Sequence, residues 1–195
     1  MVSYSRRAVN PAQKAERRQV LLQAALDCFD RSTFEKLTMA EVARAAGVSK
    51  GTLYLYFQSK EEMFLEVLLE LYRDWFQVFE KPPEGDLVDH LVDSLTARPK
   101  LLDMMSMSPA VLERAAPIAA VMAFKESLSE SLLQLGETIN IEPQRLMWIY
   151  AAVVGLYSTT HPPEEVREAV RQDPRLKHFD IDFSEELRLL LRQLI

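Results

Sequence analysis

Apolar side chains recur at helical spacing along most of this chain. In the segment at about 14–30, Leu21 and Cys28 fall on one face of a helix. After Pro11 no proline occurs until Pro82, and a proline inside a helix removes a donor and clashes with the preceding turn. The first part of the chain can therefore form helices joined by short turns. Later prolines bound further helices, which we expect at about 86–97, 100–105, 117–138, 143–158, 163–172 and 184–194.

The pattern favours helices over sheets. The chain has only 5 glycines, whereas sheet proteins need glycine-rich turns at frequent intervals. Phe179, Ile181 and Phe183 alternate with aspartates as a strand would, but the sequence offers this strand no partner. We expect an extended connector there and an all-α fold.

The segment 38–57 has the spacing of a helix-turn-helix. Thr38 with Glu41 fits a capping box, in which the hydroxyl accepts a bond from a free amide and the carboxylate accepts one from the cap. Gly47 can adopt the left-handed backbone that a tight turn requires. The next helix is expected to open at Ser49 and to end near Tyr56. An ordinary helical hairpin is the alternative interpretation.

A long helix is expected from Ser59 to about Phe79. Ser59 with Glu62 makes a second capping box at its start. Its apolar positions form two faces, so the helix should be buried on two sides.

Charge is divided unevenly along the 195 residues. The net charge is −6, but residues 1–60 hold ten Lys/Arg and five Asp/Glu, whereas residues 61–195 hold thirteen and twenty-four. The first segment therefore carries +5 and the second −11. This division favours a polyanion as the partner of the first segment.

Other function classes find little support in the sequence. Cys28 is the single cysteine and is expected to be a small core residue rather than a reactive thiol. His90, His161 and His178 have neither metal-ligand spacing nor a nucleophile beside them, so we expect no metal, no cofactor and no enzyme. The longest apolar run has 12 residues, too few to cross a bilayer, and no targeting signal is recognisable, so a cytoplasmic protein is expected.

The segment TMAEVARAAGVSKGTLYLYFQSKEEMFLEVL closely resembles the amino-terminal signature of TetR-family regulators, and the resemblance covers about residues 14–70. It departs from the family where Arg31–Phe34 replace the usual glycine after the first helix. The resemblance implies a helix-turn-helix DNA-binding domain at 1–60 and a helical effector-binding and dimerisation domain at 61–195. It also implies a homodimer whose recognition helices enter successive major grooves of operator DNA.

The motif assigns roles at the DNA. Thr38 suits a phosphate, Ser49 caps the recognition helix, and the next residues face base edges. The candidate DNA-binding residues are Thr38, Arg44, Ser49, Lys50, Gly51, Thr52, Tyr54 and Lys60. Five basic residues near the amino terminus could form an arm that enters the minor groove or equally a disordered tail. They are Arg6, Arg7, Lys14, Arg17 and Arg18.

The second domain is rich in soft and aromatic side chains, which suit an adaptable apolar pocket, although ordinary core packing is the alternative for each residue. The candidate pocket residues are Trp75, Phe79, His90, Met104, Met105, Met122, Phe124 and Trp148. The helix at 143–158 is apolar nearly all round and, with the last helix, resembles the family's dimer interface. The candidate interface residues are Met147, Ala151, Val154, Gly155, Leu187, Leu190, Leu191 and Leu194.

The sequence therefore predicts a dimeric repressor, released from double-stranded operator DNA by a small, largely apolar effector. A helical module that binds a partner protein or lipid and keeps a vestigial DNA-binding domain is the alternative. The basic excess of the first segment argues against it, because a vestigial domain should have lost that excess.

Overall fold

The computed structural model describes residues 11–195, and within that range the regular elements are all helices. The chain divides into two compact units, one ending at Val67 and the other starting at Leu68. We call residues 11–67 the head and residues 68–195 the body. No helix in the described range is both long enough and apolar enough to span a bilayer.

The head contains α1 (Pro11–Phe29), α2 (Met39–Ala45), α3 (Lys50–Tyr54) and the first turns of α4 (Lys60–Phe76). Its core is made by side chains that are fully buried, including Leu21, Val42, Leu53 and Phe57. Burying one such side chain contributes about 1.5–3 kcal/mol. The short helices α2 and α3 are therefore held mainly by packing, since isolated helices of this length are unstable in water.

Aromatic rings tie the start of α4 to the rest of the head. Phe64 is buried and meets Phe29 and Phe34 edge to face, with ring centres 5.8 and 5.1 Å apart. Cys28 is half-buried at the end of α1, and burial raises the pKa of its thiol. A raised pKa keeps this thiol protonated near neutral pH, which fits a packing role.

The body continues α4 with a 3-10 turn, Gln77–Phe79. A π-helical segment, Ser108–Leu112, and a second 3-10 segment, Pro174–Phe179, interrupt the later helices. Those helices are α5 (Leu87–Thr96), α6 (Pro99–Met107), α7 (Glu113–Ala115), α8 (Ile118–Ile139), α9 (Pro143–Thr160), α10 (Glu164–Gln172) and α11 (Phe183–Leu194).

The helix α9 lies at the centre of the body and packs against α6, α8 and α11, while α11 also packs on α5. Charged pairs reinforce the last contact: Arg188 and Arg192 of α11 bind Asp86, Asp89 and Asp93 at or on α5. Exposed pairs of this kind contribute about 0–1 kcal/mol each, so burial of apolar side chains dominates.

The all-α prediction is confirmed, and every predicted helix is present with ends shifted by a few residues. The expected connector at 179–183 is only partly extended, since Phe179 ends a 3-10 segment and Phe183 begins α11 with its ring buried. The π-helical segment and α7 were not predicted. The prolines at 109 and 117 pointed only to helix ends in this region.

Candidate nucleic-acid interface and ligand cavity

The helix α2 starts with the capping box that the sequence predicts. The Glu41 amide donates to Thr38 Oγ1 at 3.3 Å, and the Thr38 amide donates to Glu41 Oε2 at 2.8 Å. The Thr38 hydroxyl also donates to this carboxylate, and these bonds lower the pKa of Glu41. The Thr38 hydroxyl, for which the sequence predicts a phosphate contact, is thus already engaged in the cap.

The turn between α2 and α3 has the geometry that requires glycine. Gly47 has φ +67°, in the left-handed region, with its amide bonded to Arg44 O at 3.2 Å. The Val48 amide bonds to Ala43 O at 2.9 Å, and the two bonds together form a Schellman motif. The predicted left-handed turn is confirmed, and it fixes the direction in which α3 leaves α2.

The helix α3, which the sequence predicts as the recognition helix, presents one polar face. Ser49 caps it by accepting a bond from the Thr52 amide at 3.0 Å, and the two hydroxyls lie 2.8 Å apart. Leu53 points into the core with no exposed surface, whereas Tyr54 is 45% exposed. The Lys50 ammonium lies 5.8 Å from the centre of the Tyr54 ring. Lys50, Gly51 and Tyr54 are all exposed, so the structure brings these predicted residues to one surface.

Leu55 adds an exposed apolar group at the end of this helix. It is 80% exposed, although its neighbour Leu53 is fully buried. Sequence periodicity passed over it because alternating leucines at 53 and 55 do not distinguish the inner from the outer side of so short a helix. An exposed apolar side chain beside Tyr54 suits a thymine methyl group.

Lys60 is engaged within the head. Its ammonium donates to the carbonyl oxygens of Phe34 at 2.6 Å and Leu37 at 3.0 Å, and it lies 4.0 Å from the centre of the Phe34 ring. Two of its three N–H donors therefore hold the segment between α1 and α2. One donor remains for the phosphate contact that sequence reasoning assigned to it.

Arg18 fastens the end of α3 to its neighbours. Its guanidinium binds the Glu66 carboxylate with two N–H groups, donates to Tyr56 O at 3.0 Å and lies 4.4 Å from the centre of the Phe57 ring. This bidentate geometry suits arginine and not lysine. Sequence reasoning missed this contact, because Arg18 and Glu66 are far apart in the chain.

The basic arm considered from the sequence needs correction. Lys14, Arg17 and Arg18 belong to α1, so they cannot form an extended arm. Arg6 and Arg7 lie outside the described residues. Arg44 is exposed on α2, as expected.

The body contains a cavity of about 300 Å³ whose lining is predominantly apolar. Trp75, Met105 and Phe124 line it, as the sequence predicts. The other lining residues come from α4 to α9 and the segments joining them: Tyr72, Leu91, Glu113, Lys125, Leu128, Ser129, Leu132, Leu133, Leu135, Pro143, Leu146, Met147, Ile149, Tyr150 and Val153.

Five predicted pocket residues are not part of this lining. Phe79 is buried and meets the His90 ring edge to face at 5.1 Å, away from the cavity. Met104 is buried in the core of the body. Met122 and Trp148 are about half exposed, so they lie on the surface. Helical periodicity identified apolar residues correctly but could not assign them to core, cavity or surface.

The polar groups of the cavity are few. Glu113 accepts from the Lys125 ammonium at 2.6 Å, and the Ser108 hydroxyl lies 3.4 Å from the other carboxylate oxygen. Burial, with the nearby Glu113 charge, raises the pKa of Tyr150 to about 12, and burial raises that of Tyr72 well above its usual value. Both phenols are therefore neutral at physiological pH. The Trp75 indole N–H is satisfied by Ser94 Oγ at 3.0 Å.

The predicted interface residues divide into two groups. Leu187 and Leu191 have no exposed surface in the single chain, so they pack within the body and cannot contact a second copy. This corrects the prediction, which assigned four leucines of α11, these two among them, to the dimer interface. The remaining residues leave exposed or half-exposed surface on α9 and α11: Met147, Ala151, Val154, Gly155, Leu190 and Leu194.

Two family models match the chain. One, described as "Bacterial regulatory proteins, tetR family", matches residues 21–67. The other, described as "Tetracyclin repressor-like, C-terminal domain", matches residues 80–195. The first match ends where the head ends, and the second lies within the body.

Two relatives that match over most of this chain agree with these family models. The HTH-type transcriptional repressor KstR2 of Mycolicibacterium smegmatis is 30% identical over 157 residues, which are 79% of this chain and 72% of that protein. The HTH-type transcriptional regulator RutR of Escherichia coli is 27% identical over 173 residues, which are 82% of this chain and 79% of that protein.

A solved structure shows the same fold. The crystal structure of Thermus thermophilus FadR, a TetR-family transcriptional repressor in complex with lauroyl-CoA, has a TM-score of 0.56 and 20% identity to this chain. The match covers 91% of this chain and 92% of that one.

Proposed function

Since this chain belongs to the TetR family of bacterial regulatory proteins, it is a ligand-responsive, DNA-binding transcriptional repressor, and we propose that α3 reads the operator while the body's cavity binds the effector. The observation that carries the proposal is the exposed polar face of α3, with Lys50, Gly51 and Tyr54 outward and Leu53 buried.

The exposed face of α3 has the chemistry of base and phosphate recognition. Lys50 can donate to guanine or phosphate oxygens, and Tyr54 and Leu55 offer groups for phosphate or thymine methyl contact. Gly51 leaves the backbone open to close approach. Thr52, Ser49, Arg44 and the remaining donor of Lys60 complete the proposed contact set, whereas Thr38, whose amide and hydroxyl both donate to Glu41, contributes by capping α2.

The cavity in the body has the character of a small-molecule site. It is concave and largely apolar, with a few converging polar groups, which is the usual composition of ligand pockets. Tyr72 and Trp75 of the cavity lie on α4, whose first turns belong to the head. An effector that fits one position of α4 better than another would change the population competent to bind DNA.

A second copy of the chain is proposed to pair through α9 and α11. Trp148, Leu189 and Leu190 are 50%, 63% and 38% exposed in the single chain, although each is large and apolar. A twofold pairing would bury this surface and present two α3 helices to successive major grooves. Such a regulator acts where the chromosome lies, so we propose a cytoplasmic location. A partner-binding module with a vestigial head is not favoured, because the exposed face of α3 keeps its binding groups.

The experiment is operator binding measured by fluorescence anisotropy, with an operator obtained by selection from random duplex DNA. We expect Lys50→Ala and Tyr54→Ala each to weaken binding about tenfold to a hundredfold while the dimer persists, since a good base contact is worth about 1–3 kcal/mol. Lys177→Ala, which removes the same charge from an exposed site of the body, is the control. Undiminished binding by both α3 variants would refute the assignment.

A further inference from the structure

The cavity contains one ion pair in a predominantly apolar lining, and the two members of this pair are unequally buried. The Glu113 side chain is 18% exposed, whereas that of its partner Lys125 is 52% exposed. This inference rests on the proposed function. We propose that the effector is an amphiphilic cation, such as an amine with a largely apolar skeleton, whose charged group replaces Lys125 on the Glu113 carboxylate.

The unequal burial decides which partner a ligand can displace. A cationic ligand that takes Glu113 frees Lys125, which is half exposed and can turn its ammonium into water on its flexible stem. An anionic ligand that takes Lys125 leaves Glu113 largely buried without a counter-ion. Because an unpaired buried charge is strongly unfavourable, the cavity discriminates against anions.

The rings around Glu113 strengthen the preference. Tyr72, Trp75 and Tyr150 line the same cavity, and aromatic rings attract cations once water is excluded. Burial is the main cause of the raised pKa of both tyrosines, and the negative charge of Glu113 adds to it, which agrees with a carboxylate close to these hydroxyls.

The apolar part of the ligand would occupy the remaining lining. Phe124, Leu128 and Leu132 of α8 and Leu146 and Ile149 of α9 line a volume of about 300 Å³. This volume suits an alkyl chain or a small ring system. The expected ligand therefore has a largely apolar skeleton and one positive charge, which lies at the Glu113 end of the cavity.

Three probes that share a ten-carbon alkyl chain and differ in the charge of the head group test the charge preference. Decyltrimethylammonium, decanesulfonate and decanol are titrated calorimetrically into the full-length protein below their micellar concentrations. We expect the cation to bind at least about tenfold more tightly than the other two. Glu113→Gln keeps the shape of the side chain and should abolish this preference while leaving decanol affinity unchanged. Lys125→Gln removes the competing cation and should raise decyltrimethylammonium affinity.

The outcomes separate the ligand class from the proposed function. Tightest binding of decanesulfonate, equal binding of all three probes, or no binding of any would overturn the cationic assignment. A preference for the cation that survives Glu113→Gln would do the same. Selected operator DNA is titrated in parallel with ligand-free protein, and failure to bind it would overturn the proposed function whatever the probes do. Circular dichroism of each variant confirms that it is folded.

Discussion

Replacing Gly51 with alanine should move stability and DNA affinity in opposite directions. Gly51 is exposed in the first turn of α3, and a Cβ added there would meet only Ser49 Oγ, at 3.8 Å, which is ordinary contact. Because the backbone is helical and the site is open, the protein has no steric need for glycine. Alanine should raise the free energy of unfolding by about 0.5–1 kcal/mol, the usual difference between the two residues inside a helix.

The same methyl group should weaken operator binding. If the first turn of α3 faces the base edges, a side chain at this position separates the backbone from the DNA. We expect the dissociation constant to rise at least about tenfold, which corresponds to about 1.4 kcal/mol. Urea unfolding measures the first effect, and fluorescence anisotropy with selected operator DNA measures the second.

Gly47→Ala is the matched comparison. An added Cβ there also has open space, with nothing within 4 Å, but φ is +67°. We expect it to destabilise the head by about 1–2 kcal/mol, because the left-handed backbone is strained for alanine. Unchanged or tighter operator binding by Gly51→Ala would refute the placement of this turn against DNA, and a loss of stability would refute the helical geometry of α3.

Three further predictions test the head, the cavity and the paired surface. Lys60→Met should lower the free energy of unfolding by about 1–3 kcal/mol, because two carbonyl groups lose their donor. It should also reduce the salt slope of DNA binding by about 1. An unchanged slope would show that the Lys60 ammonium binds only the segment between α1 and α2 and does not contact DNA. Since the pKa of Tyr150 is raised to about 12, its phenol should remain neutral as pH rises through 10, and the stability it contributes should fall between about pH 10 and 12. Ultraviolet titration of Tyr150→Phe should lose one late-titrating group, and loss of an early one would contradict the burial. Leu190→Glu should yield monomers in sedimentation equilibrium, whereas Val166→Glu, at a similarly exposed apolar site on α10, should leave the dimer intact; a dimeric Leu190→Glu would exclude that face.

Local chemistry made the head predictable from sequence. The Thr38 cap, the Gly47 turn and the Ser49 cap each depend on residues within about five positions of one another. Such contacts leave a readable pattern because hydroxyl, carboxylate and glycine occur at fixed offsets. These local contacts also fix the direction in which α3 leaves α2.

Contacts between distant segments could not be predicted in the same way. Arg18 of α1 meets Glu66 of α4, 48 residues away, and Glu113 meets Lys125 after a π-helical segment that shifts the helical register. Apolar spacing on α11 placed Leu187, Leu190 and Leu191 together in the dimer interface, and it could not tell that Leu187 and Leu191 belong to the core while Leu190 points outward. Those assignments depend on which helices pack together, and no local pattern encodes that choice.

The most direct test of base reading by α3 is a comparison of sequence preferences selected from random duplex DNA by the wild-type protein and by Lys50→Ala. The wild-type protein should enrich an inverted repeat, because two copies of α3 related by a twofold axis contact equivalent half-sites. The variant should relax its preference at one symmetric pair of positions and keep the others. Enrichment without twofold symmetry, or an unchanged preference in the variant, would contradict the account.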